Sequence, residues 1–326
     1  MKHHLRLGLL GLLLVAARWG AAQQLPQVSQ YMNNNYLFNP AVAGTEDYID
    51  LKFSHRSQWV GIEGAPRTDY ATIHSALTPP RGRRRTLRQR RHSFNAVGAL
   101  LYNDATGPTS RTGAYGSFAH NLALTRRLRL AFGASVGVQQ FYIDGQQLQF
   151  HDANPGPQGS VAAFAPDATV GLWLYSPNFY VGASAAQLVG YPLDVSFRQA
   201  GAASQTNSLQ PHYFLTGGMR LPINPNWVLV PSALVKVTAT APATVDLNVR
   251  LRYRKILWAG ASIRWADAAV GMVGVNLNEN TSLTYSYDAG LSSLNTYHWG
   301  SHEVLLGLRL KRSTRGARRI RDSRFW

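Results

Sequence analysis

The stretch RLRLAFGASVGVQQF (127–141) alternates, residue by residue, between apolar side chains and small or polar ones. Successive side chains of a β-strand point to opposite faces, so this pattern predicts a strand with two unlike faces. The same period of two returns in TVDLNVRLRYR (244–254) and in HEVLLGLRLK (302–311). In the first stretch, the apolar face consists of Leu128, Leu130, Phe132, Ala134, Val136 and Val138.

About fourteen segments of this kind follow one another, beginning near residues 46, 67, 92, 111, 127, 166, 178, 212, 226, 243, 255, 268, 280 and 301. Their length of roughly ten to fourteen residues exceeds that of an average soluble strand and suits a strand that crosses a bilayer. We interpret the aromatics on their faces as interfacial girdles: Trp173, Tyr175, Tyr180, Trp227, Trp258, Trp265, Tyr285 and Tyr287. The sequence therefore predicts an all-β fold, a transmembrane outer-membrane β-barrel of about 14 antiparallel strands, because only a closed sheet satisfies every backbone group in lipid.

The amino terminus resembles an export signal. A basic lead, MKHHLR, precedes the apolar run LGLLGLLLVAA (7–17), which is too short to span a bilayer, and small residues at 20–22 offer a cleavage point. We therefore predict a cleaved signal peptide (1–22), an N-terminal lead or plug segment (23–45), the barrel (46–310) and a basic C-terminal tail (311–326). The lead contains SQYMNNNYLFNPAVAG (29–44), which lacks strand alternation. It is either a plug or docking segment, or a lead packed for stability.

The charge is unevenly distributed along the chain. The formal net charge is +17, and there is no cysteine, which excludes a disulfide framework, a thiolate metal site and a cysteine nucleophile.

Short turns alternate with long connections, and barrels usually keep the short turns in the periplasm, so we predict periplasmic N- and C-termini. PPRGRRRTLRQRR (79–91) then becomes a periplasmic turn that contacts anionic headgroups or an acidic partner, not nucleic acid. Its candidate docking residues are Arg81, Arg83, Arg84, Arg85, Arg88, Arg90 and Arg91.

Three groups of residues suggest a chemical function. GASVG (133–137) matches a nucleophile elbow, but Ser135 falls in the middle of a strand, without the strand-to-helix turn that the motif needs. A metal site from Asp288, His298, His302 and Glu303 is imaginable, although Asp288 and Glu303 are equally suited to pair with lumen arginines such as Arg264. Arg250, Arg252 and Arg254 would form the ladder of an anion-selective pore. We predict no cofactor, no metal and no enzymatic activity.

Several phrases resemble one family in order and spacing. They include QQLPQVSQYMNNNYLFNPAVAGTED, HRSQWVGIEGAPRTDYATIHS, LYNDATGP, HYFLTGGMRL, TYSYDAGLSSL and GSHEVLLGLRL. From about residue 23 to about residue 310 the chain is similar to the PorP/SprF family, outer-membrane proteins of the type IX secretion and gliding machinery of Bacteroidota. The family motif residues in this chain are Asn39, Pro40, Gly44, Arg56, Gln58, Gly61, Pro66, Asp288 and Glu303.

The resemblance implies a non-enzymatic barrel that binds or anchors secreted surface proteins through their C-terminal sorting domain. Its implied partners are the type IX translocon, periplasmic ring components, secreted adhesins and outer-membrane lipid. The candidate client-binding residues, in predicted surface loops, are Trp59, Ile62, Glu63, Arg67, Tyr191, Tyr297 and Trp299. The alternative is a passive diffusion pore or small-solute transporter. A hydrolase built on Ser135 is a weaker alternative.

Overall fold

The computed structural model describes residues 26–77, 93–147, 159–193, 207–239, 241–265, 267–291 and 296–310. The predicted signal peptide (1–22), the arginine-rich turn (79–91) and the basic tail (311–326) lie outside the described residues. All statements of structure below concern the described ranges.

Fourteen long antiparallel strands form a closed ring in which each strand pairs with its neighbours along the chain. The ring closes where the first strand pairs with the last, from Ile49 opposite Leu310 to Ser57 opposite His302. This confirms the predicted barrel and its strand number. The strands are β1 (Ile49–Ser57), β2 (Arg67–Ala76), β3 (Phe94–Thr106), β4 (Thr109–Ala123), β5 (Arg129–Asp144), β6 (Ser160–Tyr175), β7 (Phe179–Ala186), β8 (His212–Met219), β9 (Trp227–Thr238), β10 (Ala241–Tyr253), β11 (Leu257–Arg264), β12 (Ala268–Asn276), β13 (Thr281–Gly290) and β14 (Ser301–Leu310).

The remaining regular structure is short. Pro192–Leu193 pairs with Asn207–Ser208, and Leu221–Pro222 extends the edge of β9. The 3-10 helices are Tyr31–Asn33, Asn35–Leu37, Pro40–Val42 and Gly145–Gln147. Within the described ranges, no helix has the length and apolar character needed to cross a membrane.

Burial follows the alternation of the sequence. In β5, the apolar side chains of Phe132 and Val136 are exposed on the outside of the ring, whereas Ala131 and Gln139 are fully buried inside it. A one-residue shift in register would turn every outward side chain inward, so this pattern fixes how the strands pair. The result is an apolar outer surface and an interior wall that carries most of the buried polar and charged groups.

Four of the eight aromatic residues predicted to form interfacial girdles point into the barrel. Trp173, Tyr175, Tyr180 and Trp258 are at most 6% exposed and pack inside the barrel, so the girdle prediction was wrong for them. Trp227, Trp265, Tyr285 and Tyr287 are exposed on the outside or at the ends of the ring. The physical reason is that the interior is filled with chain and has its own apolar core, which needs large side chains as much as the lipid face does.

The two ends of the ring differ in their connections. At one end, the turn rim, the connections at 124–128, 176–178, 220–226, 254–256 and 277–280 are short, whereas the connection from β2 to β3 spans residues 77–93. Several contain a Ser, Thr or Asn whose side chain accepts backbone N–H groups two and three residues later, as Asn224 and Asn278 do at 2.8–2.9 Å. Such side chains favour tight turns, which explains the composition of these connections. At the other end, the loop rim, lie the longer connections between β1 and β2, β5 and β6, β7 and β8, and β13 and β14, together with short ones at 107–108, 239–240 and 265–267.

Candidate functional site: the filled lumen

Residues 28–45, named here the lumen segment, run through the inside of the ring. Every residue of the segment is buried except Leu37, which is half-buried, and none carries a charge. Ser29 contacts β14, Asn39 contacts β6 and β7, and Ala41 packs against β5. The segment therefore touches opposite walls of the barrel. A cavity of about 100 Å³ remains between it and the wall from β2 to β8.

The middle of the lumen segment is shaped by its own sequence. Asn39 accepts the backbone N–H of Ala41 at 2.9 Å and so caps the helix Pro40–Val42, whose first position suits proline. The Asn39 amide donates to two wall carbonyls, those of Leu172 (2.9 Å) and Ala183 (3.2 Å). The Asn-Pro pair thus starts a turn and attaches it to the wall at the same point.

An ionic anchor holds the first part of the lumen segment at the seam between β1 and β14. The Ser29 hydroxyl donates to Asp288 Oδ2 at 2.5 Å and accepts from Arg56 Nη1 (2.8 Å) and Arg264 Nη2 (3.1 Å). The Ser29 backbone N–H donates to Glu303 Oε2 at 2.8 Å. One serine therefore joins side chains from β1, β11, β13 and β14.

The charged groups of the anchor also pair directly with one another. Arg56 Nη2 lies 2.8 Å from Asp288 Oδ2, and Arg56 Nη1 lies 3.5 Å from Glu303 Oε2. Arg264 lies 3.0 Å from Asp246 and 3.8 Å from Asp288. The side chains of all five residues are at most 3% exposed. A buried charge is tolerated only with such partners, so removing one member leaves the others at a large energetic cost.

Further hydrogen bonds to the barrel wall continue along the segment from this anchor. The Gln30 amide donates to the backbone carbonyl of Glu303 (3.0 Å) and accepts from Thr284 (2.5 Å). Arg250 Nη1 donates to Asn33 Oδ1 at 2.8 Å. The Tyr36 hydroxyl forms a hydrogen bond with Ser117 Oγ at 2.6 Å. These bonds attach the uncharged segment to a polar wall.

Two glycines of the wall make room for the lumen segment. A Cβ atom at Gly133 would overlap the backbone of Pro40 and Ala41, and one at Gly171 would overlap the Asn39 side chain. Gly116 on β4 also lies mid-strand, but a Cβ atom there would meet nothing within 4 Å. Gly133 and Gly171 therefore set how closely the segment approaches the wall.

We expect Gly133→Ala to lower the free energy of unfolding by about 1–3 kcal/mol, because overpacking of a filled interior forces neighbouring backbone to move. The matched control, Gly116→Ala, should leave it unchanged. The measurement is the thermal unfolding of purified barrel in detergent, followed by circular dichroism and by the heat-dependent shift in gel mobility. Equal stability of the two variants would mean that the segment does not pack on this wall.

At the loop rim, two loops join into one surface. Val60 N–H donates to the Gly300 carbonyl (2.9 Å), and Trp299 N–H donates to the Val60 carbonyl (2.8 Å). This short ladder continues the β1–β14 pair beyond the ring, and we name residues 58–61 with 297–300 the seam lip. Trp299 and Tyr297 are 81% and 75% exposed on it, and the Trp59 ring lies 6.4 Å from that of buried His298.

The other predicted loop residues lie around the same rim. Ile62 is half-buried and Glu63 is exposed in the loop after Trp59, and Arg67 begins β2 with an exposed side chain. Tyr191 is exposed in the connection between β7 and β8, half-way round the ring from the seam lip. The structure therefore brings six of the seven candidates to one side of the rim and leaves Tyr191 on the opposite side.

The family motif residues have distinct positions. Arg56, Asp288 and Glu303 form the anchor, and Asn39, Pro40 and Gly44 shape the lumen segment, with Gly44 in a left-handed conformation at φ 72°. Gln58, Gly61 and Pro66 shape the loop after β1, where the Gln58 N–H donates to the Pro66 carbonyl at 2.9 Å. The predicted docking arginines from Arg81 to Arg91 lie outside the described residues.

The residues of the candidate nucleophile elbow, the candidate metal site and the arginine ladder lie in different parts of the barrel. Ser135 lies in the middle of β5 and points inward, beside the cavity. His302 is on the outer face, where its ring bonds Tyr285 at 2.7 Å, so it does not join Asp288 and Glu303 inside. In the described part of the chain, no group of three or more metal-binding side chains occurs. The predicted arginine ladder was also wrong at its end, because Arg254 is exposed in a turn after β10.

The sequence alone did not indicate that Ser29 is the central residue of the anchor. In the sequence, Ser29 is one of several polar residues of the stretch 29–44, and Asp246 lies in the predicted strand 244–254. The available signal was the lack of charge in a polar segment next to a barrel with many inward charges. Such a segment supplies the hydroxyl and amide groups that a charged wall needs when water is displaced.

Several solved structures are similar to this chain. They include the TodX deltaS2S3 mutant monoaromatic hydrocarbon channel (9% identity, 88% of this chain and 95% of that chain, TM-score 0.45). The outer membrane protein Omp33 of Acinetobacter baumannii matches with 11% identity over 82% of this chain and 100% of that chain (TM-score 0.45). A Pseudomonas aeruginosa FadL homologue matches with 8% identity over 89% and 95% (TM-score 0.46).

The sequence itself identifies the family. A comparison with curated proteins finds no match. The family model described as "Type IX secretion system membrane protein PorP/SprF" matches residues 20–308, nearly the whole chain. The chain therefore belongs to the PorP/SprF family of type IX secretion system membrane proteins.

Proposed function

We propose that this barrel is a non-enzymatic binding and anchoring component of type IX secretion and gliding. It would hold secreted surface proteins through their C-terminal sorting domain at one rim and dock to periplasmic components at the other. The observation that carries the proposal is the filled lumen. A segment anchored by buried ion pairs runs through the interior, and the cavity beside it has a volume of about 100 Å³. Such an interior supports a scaffold rather than a diffusion pore.

The orientation is part of the proposal. Short turns usually lie in the periplasm and long loops outside the cell, which would place the turn rim, where β1 begins and β14 ends, in the periplasm. The described chain begins near the loop rim, where Gln27 accepts a hydrogen bond from Arg264 at the end of β11, so the sequence prediction of a periplasmic N-terminus does not fit this orientation. The loop rim then faces the surroundings of the cell, where a secreted protein would be retained.

The seam lip is the proposed contact for the client. Binding energy usually concentrates in a few aromatic and arginine side chains, and Trp59, Tyr297 and Trp299 are exposed together there. Ile62, Glu63 and Arg67 flank them. Tyr191, on the other side of the rim, would form a separate contact with a large client.

The turn rim is the proposed contact for the machinery. Arg126, Arg127, Arg254 and Lys255 are exposed there, and the seven arginines of 79–91 follow β2 at the same end. A basic surface accelerates association with an acidic partner and also attracts anionic headgroups. Weakening of a complex with periplasmic components by salt would favour the first use.

Affinity purification from outer membranes tests the proposal. A tagged copy is expected to retain a surface protein with a C-terminal sorting domain, together with periplasmic components of the secretion system. The control is a strain lacking the gene, in which the same surface protein should be lost from the cell. Secretion and retention of every surface protein in that strain would contradict the proposal.

A further inference from the structure

A groove runs along the outer surface of the barrel, away from the lumen and both rims. It is shallow and open to the surroundings, with a volume of about 740 Å³. It crosses the outer faces of β14 and β1 to β6. One row of directly paired outward residues alternates large and small side chains: Phe53, Ala71, Leu101, Ala114 and Val138. The small members leave apolar recesses between the large ones.

A polar row borders this groove on the side of the loop rim. The next outward residues on the same strands are His55, Asp69, Asn103, Thr112 and Gln140, each opposite the next in register. His55 Nδ1 lies 2.7 Å from Asp69 Oδ1, and Thr112 Oγ1 donates to Asn103 Oδ1 at 2.8 Å. On the far side of the ring, the outward residues near the loop rim are apolar, as at Tyr213, Val237 and Ile263. The polar row is therefore confined to the sector that carries the groove.

We propose that the groove binds one lipid molecule, with its acyl chain between Ala71 and Ala114 and a hydroxyl-rich, uncharged headgroup on the polar row. The outer surface of a membrane barrel meets hydrocarbon, so an apolar groove there is filled by lipid chains. The row offers amides, a hydroxyl and an imidazole–carboxylate pair, which match hydroxyl groups as both donors and acceptors. The Asp69 carboxylate lies within the polar row and repels the negative charge of a phosphate. The nearest outward cation, Arg67, lies outside the row, one outward position nearer the loop rim.

The test is the lipid retained by barrel purified from outer membranes in mild detergent, measured by native mass spectrometry. We expect one retained lipid with a hydroxylated headgroup, and its loss in the triple variant Asn103→Leu, Thr112→Leu, Gln140→Leu. Ala114→Phe fills the groove without touching the row and should also lose the lipid, so a folding defect of the triple variant leaves the proposal testable. His120→Leu removes an outward polar residue elsewhere on β4 and should retain it.

Three results would overturn the proposal. The first is wild-type protein without retained lipid, and the second is equal retention by Ala114→Phe and His120→Leu. The third is retention of phosphate-headed lipids or of a polypeptide in place of a hydroxylated lipid.

Discussion

Replacing Arg56 with methionine should lower the free energy of unfolding by about 3–5 kcal/mol, the usual cost of breaking a buried ion pair from one side. Methionine keeps much of the volume but removes the partner of Asp288 and Glu303, two carboxylates with side chains no more than 3% exposed. The Ser29 hydroxyl also loses a donor, so the lumen segment is held less firmly. Urea unfolding of the barrel in detergent, followed by tryptophan fluorescence, measures the change.

The control for this experiment is Arg126→Met. Arg126 is exposed at the turn rim, and surface charges contribute little to stability. We expect its unfolding midpoint to match that of the wild type. If Arg56→Met were as stable as Arg126→Met, the anchor would not stabilise the fold.

The double variant Trp59→Ala, Trp299→Ala should weaken binding of a client sorting domain by at least about 2 kcal/mol, or roughly thirty-fold in Kd. Both side chains lie on the seam lip, where the ladder between Val60 and Gly300 is made by backbone and survives the change. Truncation therefore removes aromatic contact area without removing the hydrogen bonds that join the two loops. Surface plasmon resonance with immobilised barrel and purified sorting domain gives the affinities.

Trp265→Ala is the matched variant for this prediction. Trp265 is 76% exposed at the same rim, between β11 and β12 and outside the seam lip. Its loss should leave the affinity unchanged. An equal loss of affinity in both variants would mean that any exposed tryptophan at this rim contributes, and the seam lip would not be the site.

The strands were predictable because the two environments of each strand impose an alternating pattern on its own residues. In 127–141 the outward side chains face lipid and the inward side chains face the interior that holds the lumen segment. The strand therefore alternates between two kinds of side chain over its whole length. The turns were predictable for a similar reason, since Asn224 and Asn278 form their hydrogen bonds within three residues.

The interior was less predictable because it depends on distant contacts. The bond from Ser29 to Glu303 joins residues 274 positions apart, and nothing near Ser29 indicates that partner. Trp173 was assigned to the lipid side because a large apolar side chain suits either face. Its inward position follows from stacking on Tyr180 (ring centroids 4.8 Å apart) in the core that contacts the lumen segment.

Planar-bilayer conductance of the full-length barrel tests most directly whether the lumen segment closes the channel. The wild-type protein, inserted and shown to be folded by its gel mobility, should give no stepwise ion current at moderate voltage. Stable conductance steps from the wild type would contradict the filled lumen and favour a diffusion pore.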